Sequence, residues 1–281
     1  MNDRKISLIM MDIDGTIIDS PRYSTVPESL CTAVRDVVNR NILVGLASGR
    51  NYGHVMSQMR GLGFTGPYIC NGGALVVMND KICSEELLDQ KVIAEAWKQA
   101  RELQCYIEFQ GRNVMHVGIM EKYTGPVFPK VGTGDYLNYI DPLTANFEQI
   151  KKDHISKITI AVDEKEKAEE IEQFWIHGPL KTRVSLTKSF WYSLELTAPS
   201  ISKGKALLQL AKQIGIPMAE IVAIGDGDND VDMLQAAGIS FAMANGSKKA
   251  LCAAKYRAPA VYENGVEQVL RRYILGKENL F

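Results

Sequence analysis

Apolar and polar positions alternate along this chain in two different textures. Near the start, an apolar run over residues 6–11 meets Asp12 abruptly, as a strand buried on both faces would. Thr25-Val26-Pro27-Glu28 has capping-box form, and the helix after it places Leu30, Val34, Val37 and Val38 on one face. A second buried strand over 42–47 ends in Ser48-Gly49-Arg50, with a helix predicted to about Met59. A short strand over 67–70 ends in Asn71-Gly72-Gly73, and residues 74–83 read as a hairpin turning at Asn79-Asp80.

From about residue 84 the texture changes. An amphipathic helix over 90–103 precedes alternating strands near 104–109 and 113–119 and a loop-rich stretch over 121–146. A strand over 157–162 leads to Asp163, the expected N-cap of a charged helix to about 176, and strands follow near 183–187 and 190–196. After Pro199 the first texture returns. Helix 202–214 stops at Gly215, strand 221–224 ends in Gly225-Asp226-Gly227-Asp228-Asn229-Asp230, and further strand–loop–helix units follow. The pattern predicts an α/β protein with a doubly wound, Rossmann-like parallel-sheet core over 1–83 plus 198–281. An α+β domain over 84–197 is inserted into it.

Composition narrows the class. The chain has 281 residues, 46% hydrophobic and 23% charged, with a formal net charge of -1. That balance disfavours a nucleic-acid binder, which carries a basic excess. No apolar run is long enough to span a bilayer, and Asp12 interrupts the first one where a signal peptide has no use for an acid. Five scattered cysteines form no CxxC pair, so neither a zinc site nor a disulfide framework is expected. The expectation is a cytoplasmic enzyme, monomeric or homodimeric, with a small-molecule substrate and no membrane or nucleic-acid partner.

In a parallel α/β sheet the carboxyl ends of the strands line the ligand crevice. Here those ends gather Asp12-x-Asp14-Gly15-Thr16, Ser48-Gly49-Arg50, Asn71-Gly72-Gly73 and the 225–230 loop. Carboxylates at one edge repel each other unless a cation sits among them. With only oxygen ligands to offer, that cation is Mg²⁺ rather than zinc. The glycine-flanked loops and helix N-termini suit a phosphate. Asp12 then serves as a nucleophile towards phosphorus, with Asp14 as general acid and then base. A solvated strand end is the bland alternative for Asp12 and Asp14. A calcium-binding loop is the alternative for 225–230, but no Glu closes a loop of the required length.

These residues resemble the haloacid dehalogenase superfamily, and within it the Cof-like phosphatases of subclass IIB with a C2 cap inserted after the second motif. Asp12-Ile13-Asp14-Gly15-Thr16 matches DxDx[TV]. Ser48 matches the strand-end Ser or Thr, Lys203-Gly204-Lys205-Ala206-Leu207 the lysine motif, and Gly225–Asp230 matches GDxxND. The resemblance implies that Asp12, Asp14, Ser48 and Lys203 are catalytic and that Asp12, Asp14 (through its backbone carbonyl) and Asp226 hold the metal. It also implies that Gly49, Arg50, Asn71, Gly72 and Asn229 line the phosphate and substrate site, and that Thr16 and Asp230 support it from behind. The middle domain would be the lid that selects substrate, with Tyr106, Glu108, Arg112, Asn113, His116 and Lys157 as candidate contacts. The implied activity is Mg²⁺-dependent hydrolysis of a small phosphorylated metabolite, such as a sugar phosphate, through an aspartyl-phosphate. The alternatives are a phosphotransferase or phosphomutase acting on sugar phosphates, and a non-catalytic metal or ligand sensor.

Overall fold

The computed structural model describes residues 5–19, 25–126, 136–140, 147–199 and 201–276. The chain divides into two compact units, one of Met1–Arg50, Gln58–Ser84 and Ser202–Phe281, the other of Asn51–Ser57 and Glu85–Ile201.

In chain order the first stretch holds β1 (Leu8–Met11), α1 (Glu28–Val38), β2 (Leu43–Ala47), α2 (Tyr52–Met59), β3 (Tyr68–Cys70), β4 (Leu75–Met78) and β5 (Lys81–Glu85). The middle holds α3 (Gln90–Glu102), β6 (Tyr106–Gln110), β7 (Met115–Ile119), β8 (Leu137–Ile140), α4 (Phe147–Lys152), β9 (Lys157–Ala161), α5 (Lys165–His177), β10 (Ser185–Phe190) and β11 (Ser193–Thr197). The last stretch holds α6 (Lys203–Ile214), β12 (Ile221–Gly225), α7 (Val231–Ala236), β13 (Ile239–Met243), α8 (Lys248–Ala253), β14 (Tyr256–Ala258) and α9 (Gly265–Val269).

The first unit is built on an eight-stranded sheet in the order β14-β13-β12-β1-β2-β3-β4-β5. Strands β14 to β3 run parallel, and β4 returns antiparallel to β3. This is the expected doubly wound core. β1 is central because all four of its residues, Leu8 to Met11, are fully buried, and only a strand with neighbours on both sides suits such a run. The chain leaves β1 towards β2 on one side and returns through β12 on the other. The register sets Met11 beside both Leu46 and Ile224. Asp12, Ser48 and Asp226 therefore leave the sheet at one edge, at the place where strand order reverses. The β4–β5 hairpin turns at Asn79 and Asp80, both with positive φ (51° and 58°), as a two-residue turn matched to strand twist requires.

The second unit carries a six-stranded sheet in the order β10-β11-β9-β6-β7-β8. Its period-two pattern separates two faces. Ile107, Phe109, Ile158, Ile160, Leu194 and Leu196 pack with Val92, Ile93 and Ala96 of α3 and Ile171 and Trp175 of α5. Tyr106, Glu108 and Gln110 project from the opposite face, opposite Thr159 and Lys157 of β9. In the same unit, Gly53 N donates to Arg112 O at 3.1 Å and His54 stacks on Tyr136 with centroids 4.8 Å apart.

Two expected helix starts are corrected. The first helix begins at Glu28 with Pro27 as its N-cap and no side-chain cap, rather than at Thr25. Pro27 holds an extended backbone (φ -59°, ψ 138°), which delays the first turn. The helix expected to be capped by Asp163 begins at Lys165 after Glu164. Asp163 instead accepts hydrogen bonds from Thr124 N and Lys167 Nζ, a tertiary contact outcompeting a local one. Of the loop-rich 121–146 stretch, Leu137–Ile140 is a strand, while Pro129, Gly132, Gly134 and Pro142 lie outside the described residues.

Candidate active site

The site grows from four strand ends and one helix start, all in the first unit. β1 ends in Asp12, which is 5% exposed. α6 begins with Lys203 just after Ser202, whose hydroxyl caps the helix by accepting from Lys205 N at 3.3 Å. Lys203 is 1% exposed, and its ammonium donates to Asp12 Oδ1 at 2.7 Å and to Asp230 Oδ1 at 2.6 Å. Asp230 in turn accepts at Oδ2 from the backbone of Asp226 (3.0 Å) and Gly227 (2.9 Å), which folds the 225–230 loop back on itself. Thr16 Oγ1 donates to Asp226 Oδ1 at 2.7 Å and joins the first loop to the fourth. Carboxylate oxygens of Asp12, Asp226 and Asp230 lie within 4.8 Å of one another.

Two glycines are needed for this approach. Gly15 has φ +81°, and a Cβ there would stand 2.2 Å from Asp226 Oδ2. Gly73 has φ +113°, and a Cβ there would stand 2.4 Å from Ser202 O, at the cap of the helix that delivers Lys203.

Three buried or half-buried carboxylates face one ammonium. Burial, and then the charge of Asp230, push Asp12 well above the usual carboxylate range, with Lys203 pulling back. Asp226 is raised to about 6, chiefly by burial; the Thr16 hydrogen bond opposes this and Asp230 adds to it. Burial would depress the Lys203 ammonium, but Asp12 and Asp230 outweigh it and hold Lys203 above its ordinary value. A pocket of hard oxygen donors with excess negative charge fits a divalent, oxygen-preferring cation.

The second strand-end loop is knitted to the third. Ser48 Oγ accepts from Arg50 N at 3.2 Å, Gly72 N donates to Ser48 O at 3.0 Å, and Asn71 N donates to Arg50 O at 2.8 Å. Asn71 is fully buried with φ 50°, while Gly49 and Gly72 are half-buried. Asn229 is exposed on its turn.

Asp14 stands apart from the carboxylate trio. Its two oxygens accept from the Arg50 guanidinium, Oδ2 from Nε at 2.8 Å and Oδ1 from Nη2, while Nη1 donates to Gln58 Oε1. Sequence reasoning placed Arg50 in the site but missed this pairing and Gln58, since neither carries a local motif. It also gave Asp230 a supporting part without its direct pairing to Lys203. Asn245 was not anticipated at all; its side chain donates to Gly15 O at 2.8 Å and accepts from Val261 N at 2.9 Å.

The candidate lid residues all lie in the second unit. Tyr106 donates to Glu108 Oε1, and Gln110 donates to Glu108 Oε2 at 2.8 Å. Lys157 pairs with Glu195 at 2.8 Å, and Arg112 pairs with Glu85 through both ends of its fork. Asn113 carries the backbone oxygen nearest a Cβ built at Gly53. His116 is held at both ring nitrogens, by Asp153 at 2.7 Å and Asn138 at 2.8 Å, so it is locked into its own sheet. Cys70 is fully buried, and burial pushes its thiol up, which makes it inert.

This geometry agrees with what the chain is similar to. The haloacid dehalogenase-like hydrolase family model matches residues 9–270, and the chain belongs to that family. A phosphoglycolate phosphatase of Methanopyrus kandleri is 26% identical over 269 residues, covering 95% of this chain and 97% of that protein. A haloacid dehalogenase-like hydrolase from Bacteroides thetaiotaomicron shares the fold with a TM-score of 0.84 at 24% identity, covering 96% of this chain and all of that one. The subclass IIB sugar phosphatase BT4131 shares it with a TM-score of 0.77 at 19% identity, covering 96% and 99%. Together they support a phosphoric monoester hydrolase. Among the described residues no helix is long and apolar enough to cross a membrane.

Proposed function

We propose that this protein is a Mg²⁺-dependent phosphatase that hydrolyses a small phosphorylated metabolite through an aspartyl-phosphate on Asp12. The observation that carries the reading is the Lys203 ammonium seated between Asp12 and Asp230, with Asp226 in reach of both carboxylates. Asp12, Asp226 and the backbone carbonyl of Asp14 would hold the cation. When bound, the cation neutralises charge on the phosphoryl oxygens.

The rest falls to this chain's own side chains. Asp12 attacks phosphorus, an Asp12–phosphorus bond forms and the bond to the leaving oxygen breaks. Asp14 gives that oxygen its proton. A water then attacks the aspartyl-phosphate, Asp14 takes the water's proton, and inorganic phosphate and the Asp12 carboxylate are released. Lys203, Ser48 and the backbone N–H of Gly49 hold the phosphoryl oxygens; Asn71, Gly72 and Asn229 border the substrate. The activities of its relatives, a phosphoglycolate phosphatase and a sugar phosphatase, favour a small hydroxylated or acidic phosphomonoester. Cap residues of the second unit would choose within that class.

Phosphate release from a panel of phosphorylated metabolites, with and without Mg²⁺, tests this. Wild type turns over one or more of them only with Mg²⁺, and Asp12→Asn lowers kcat by at least about 10³-fold, since the nucleophile is lost. Full activity in Asp12→Asn would sink the mechanism. Transfer of the phosphoryl group to added sugar in preference to water would point to a phosphotransferase.

A further inference from the structure

We infer that Arg50 is the positioning residue of Asp14, acting through a two-point guanidinium fork, and is not a phosphate ligand. The inference rests on the phosphatase reading above and deepens it.

The backbone around Asp14 is already fixed. Gly15 N donates to Ile18 O at 2.8 Å, and Asp14 forms an isolated bridge to Ile18. The side chain is 41% exposed. Arg50 fixes its orientation. Its own side chain is 16% exposed, and its planar fork meets both Asp14 oxygens. A single ammonium fixes one distance; a fork fixes the plane of the carboxylate as well. The guanidinium is itself steadied by Gln58 through Nη1, and its main chain is tied to Ser48 Oγ and Asn71 N. One residue thus links three strand-end loops to the proposed acid/base.

This arrangement leaves Asp14 able to work. Each carboxylate oxygen has two lone pairs, and the fork uses one on each, so a proton can be carried on the remaining side. It also makes Arg50 a poor phosphate ligand, because three of its N–H groups are already directed at Asp14 and Gln58.

The two roles separate by kinetics. A phosphate ligand acts on every substrate and on product binding. A residue that aims Asp14 acts on formation of the aspartyl-phosphate, the step kcat/KM reports, only where the leaving oxygen needs a proton; its part in the water step falls on kcat for every substrate alike. We would measure kcat and KM for p-nitrophenyl phosphate, whose leaving group departs unaided, and for phenyl phosphate, whose leaving group needs the acid. Inorganic phosphate inhibition and thermal melting would be measured beside them. Arg50→Lys keeps the charge and loses the fork. It should lower kcat/KM for phenyl phosphate about 10–100-fold and for p-nitrophenyl phosphate less than about 3-fold, a fraction of what a general acid contributes. Phosphate inhibition should hold steady. Gln58→Leu should give the same pattern at about 2–5-fold, since it only steadies the fork. In an Asp14→Asn background, Arg50→Lys should add nothing, because its effect passes through Asp14.

Equal losses of kcat/KM on both substrates, weakened phosphate inhibition, or an additive double variant would each overturn the assignment. A wild-type protein that releases phosphate from neither compound would instead remove the phosphatase reading and this inference with it. A cooperative melt for each variant separates all of these from misfolding.

Discussion

Both units of this protein bury charged and polar side chains, and they treat them in opposite ways. Among the described residues of the second unit, the buried Glu108, Lys157 and His116 are each paired within that unit. Glu108 takes hydrogen bonds from Tyr106 and Gln110, Lys157 meets Glu195, and His116 is held between Asp153 and Asn138. In the first unit Asp12 and Asp230 share the ammonium of Lys203, and a third carboxylate, Asp226, lies beside them with the Thr16 hydroxyl as its donor. A network of paired charges stiffens a fold. An unbalanced one stores repulsion that a cation and a phosphoryl group can relieve. Burial alone therefore does not locate chemistry; uncompensated burial does.

The contrast can be broken most forcefully at Lys203. Lys203→Met leaves Asp12 and Asp230 buried without their cation, a change expected to cost about 3–5 kcal/mol. Denaturant unfolding of the metal-free protein would read this as a lower midpoint, and Mg²⁺ should restore part of it. A midpoint within experimental error of wild type would mean that the carboxylates are already protonated and the imbalance is illusory.

A smaller effect is expected at Gly15. Gly15→Ala forces a left-handed residue and drives its Cβ into Asp226, for about 1–3 kcal/mol. Because the clash falls on a proposed metal ligand, the Mg²⁺ concentration for half-maximal phosphate release should also rise. Loss of stability with unchanged Mg²⁺ dependence would detach Asp226 from metal binding.

The smallest effect sharpens the other side of the comparison. Burial raises Glu108 above the ordinary carboxylate range. A group with a raised folded-state value favours the folded state while protonated and costs stability as pH climbs through that value. Glu108→Gln removes that cost and keeps an acceptor for Tyr106. Stability of the variant should lie within about 1.5 kcal/mol of wild type, the net worth of one hydrogen bond. The difference should move in the variant's favour from pH 4 to pH 7. Denaturation midpoints across that range would decide it; a shift in wild type's favour would mean that the ionised carboxylate is the fully supported form.

Some of this was written in local pattern. Fully buried β1 ending in Asp12, the Ser48 and Asn71 loops, and the glycine-rich 225–230 turn each sit where strand periodicity stops, so their place at one sheet edge follows from a parallel core. The Ser202 cap and the Gly215 stop of α6, with φ 70° at Gly215, are also local chemistry that one dozen residues declare. The start of α1 was misread because a capping box is only a competitor, and Pro27 held the chain extended where Thr25 offered a cap.

What the sequence by itself determined, then, is the run of elements, the family and the inventory of reactive groups, since these depend on neighbours within a turn or a strand. Only the tertiary structure decided which groups meet. Arg50 and Asp14 are 36 positions apart, and Lys203 and Asp12 are 191 apart. No periodicity encodes such pairings; they are set by the register of β1 against β2 and β12, and by the glycines that let loop approach loop. The same holds in reverse for His116, a lone histidine in sequence whose Nδ1 meets Asn138 across the β7–β8 pair and whose Nε2 meets Asp153 just beyond α4. Residue type sets what a side chain can do, and long-range packing sets whether it is left with anything to do.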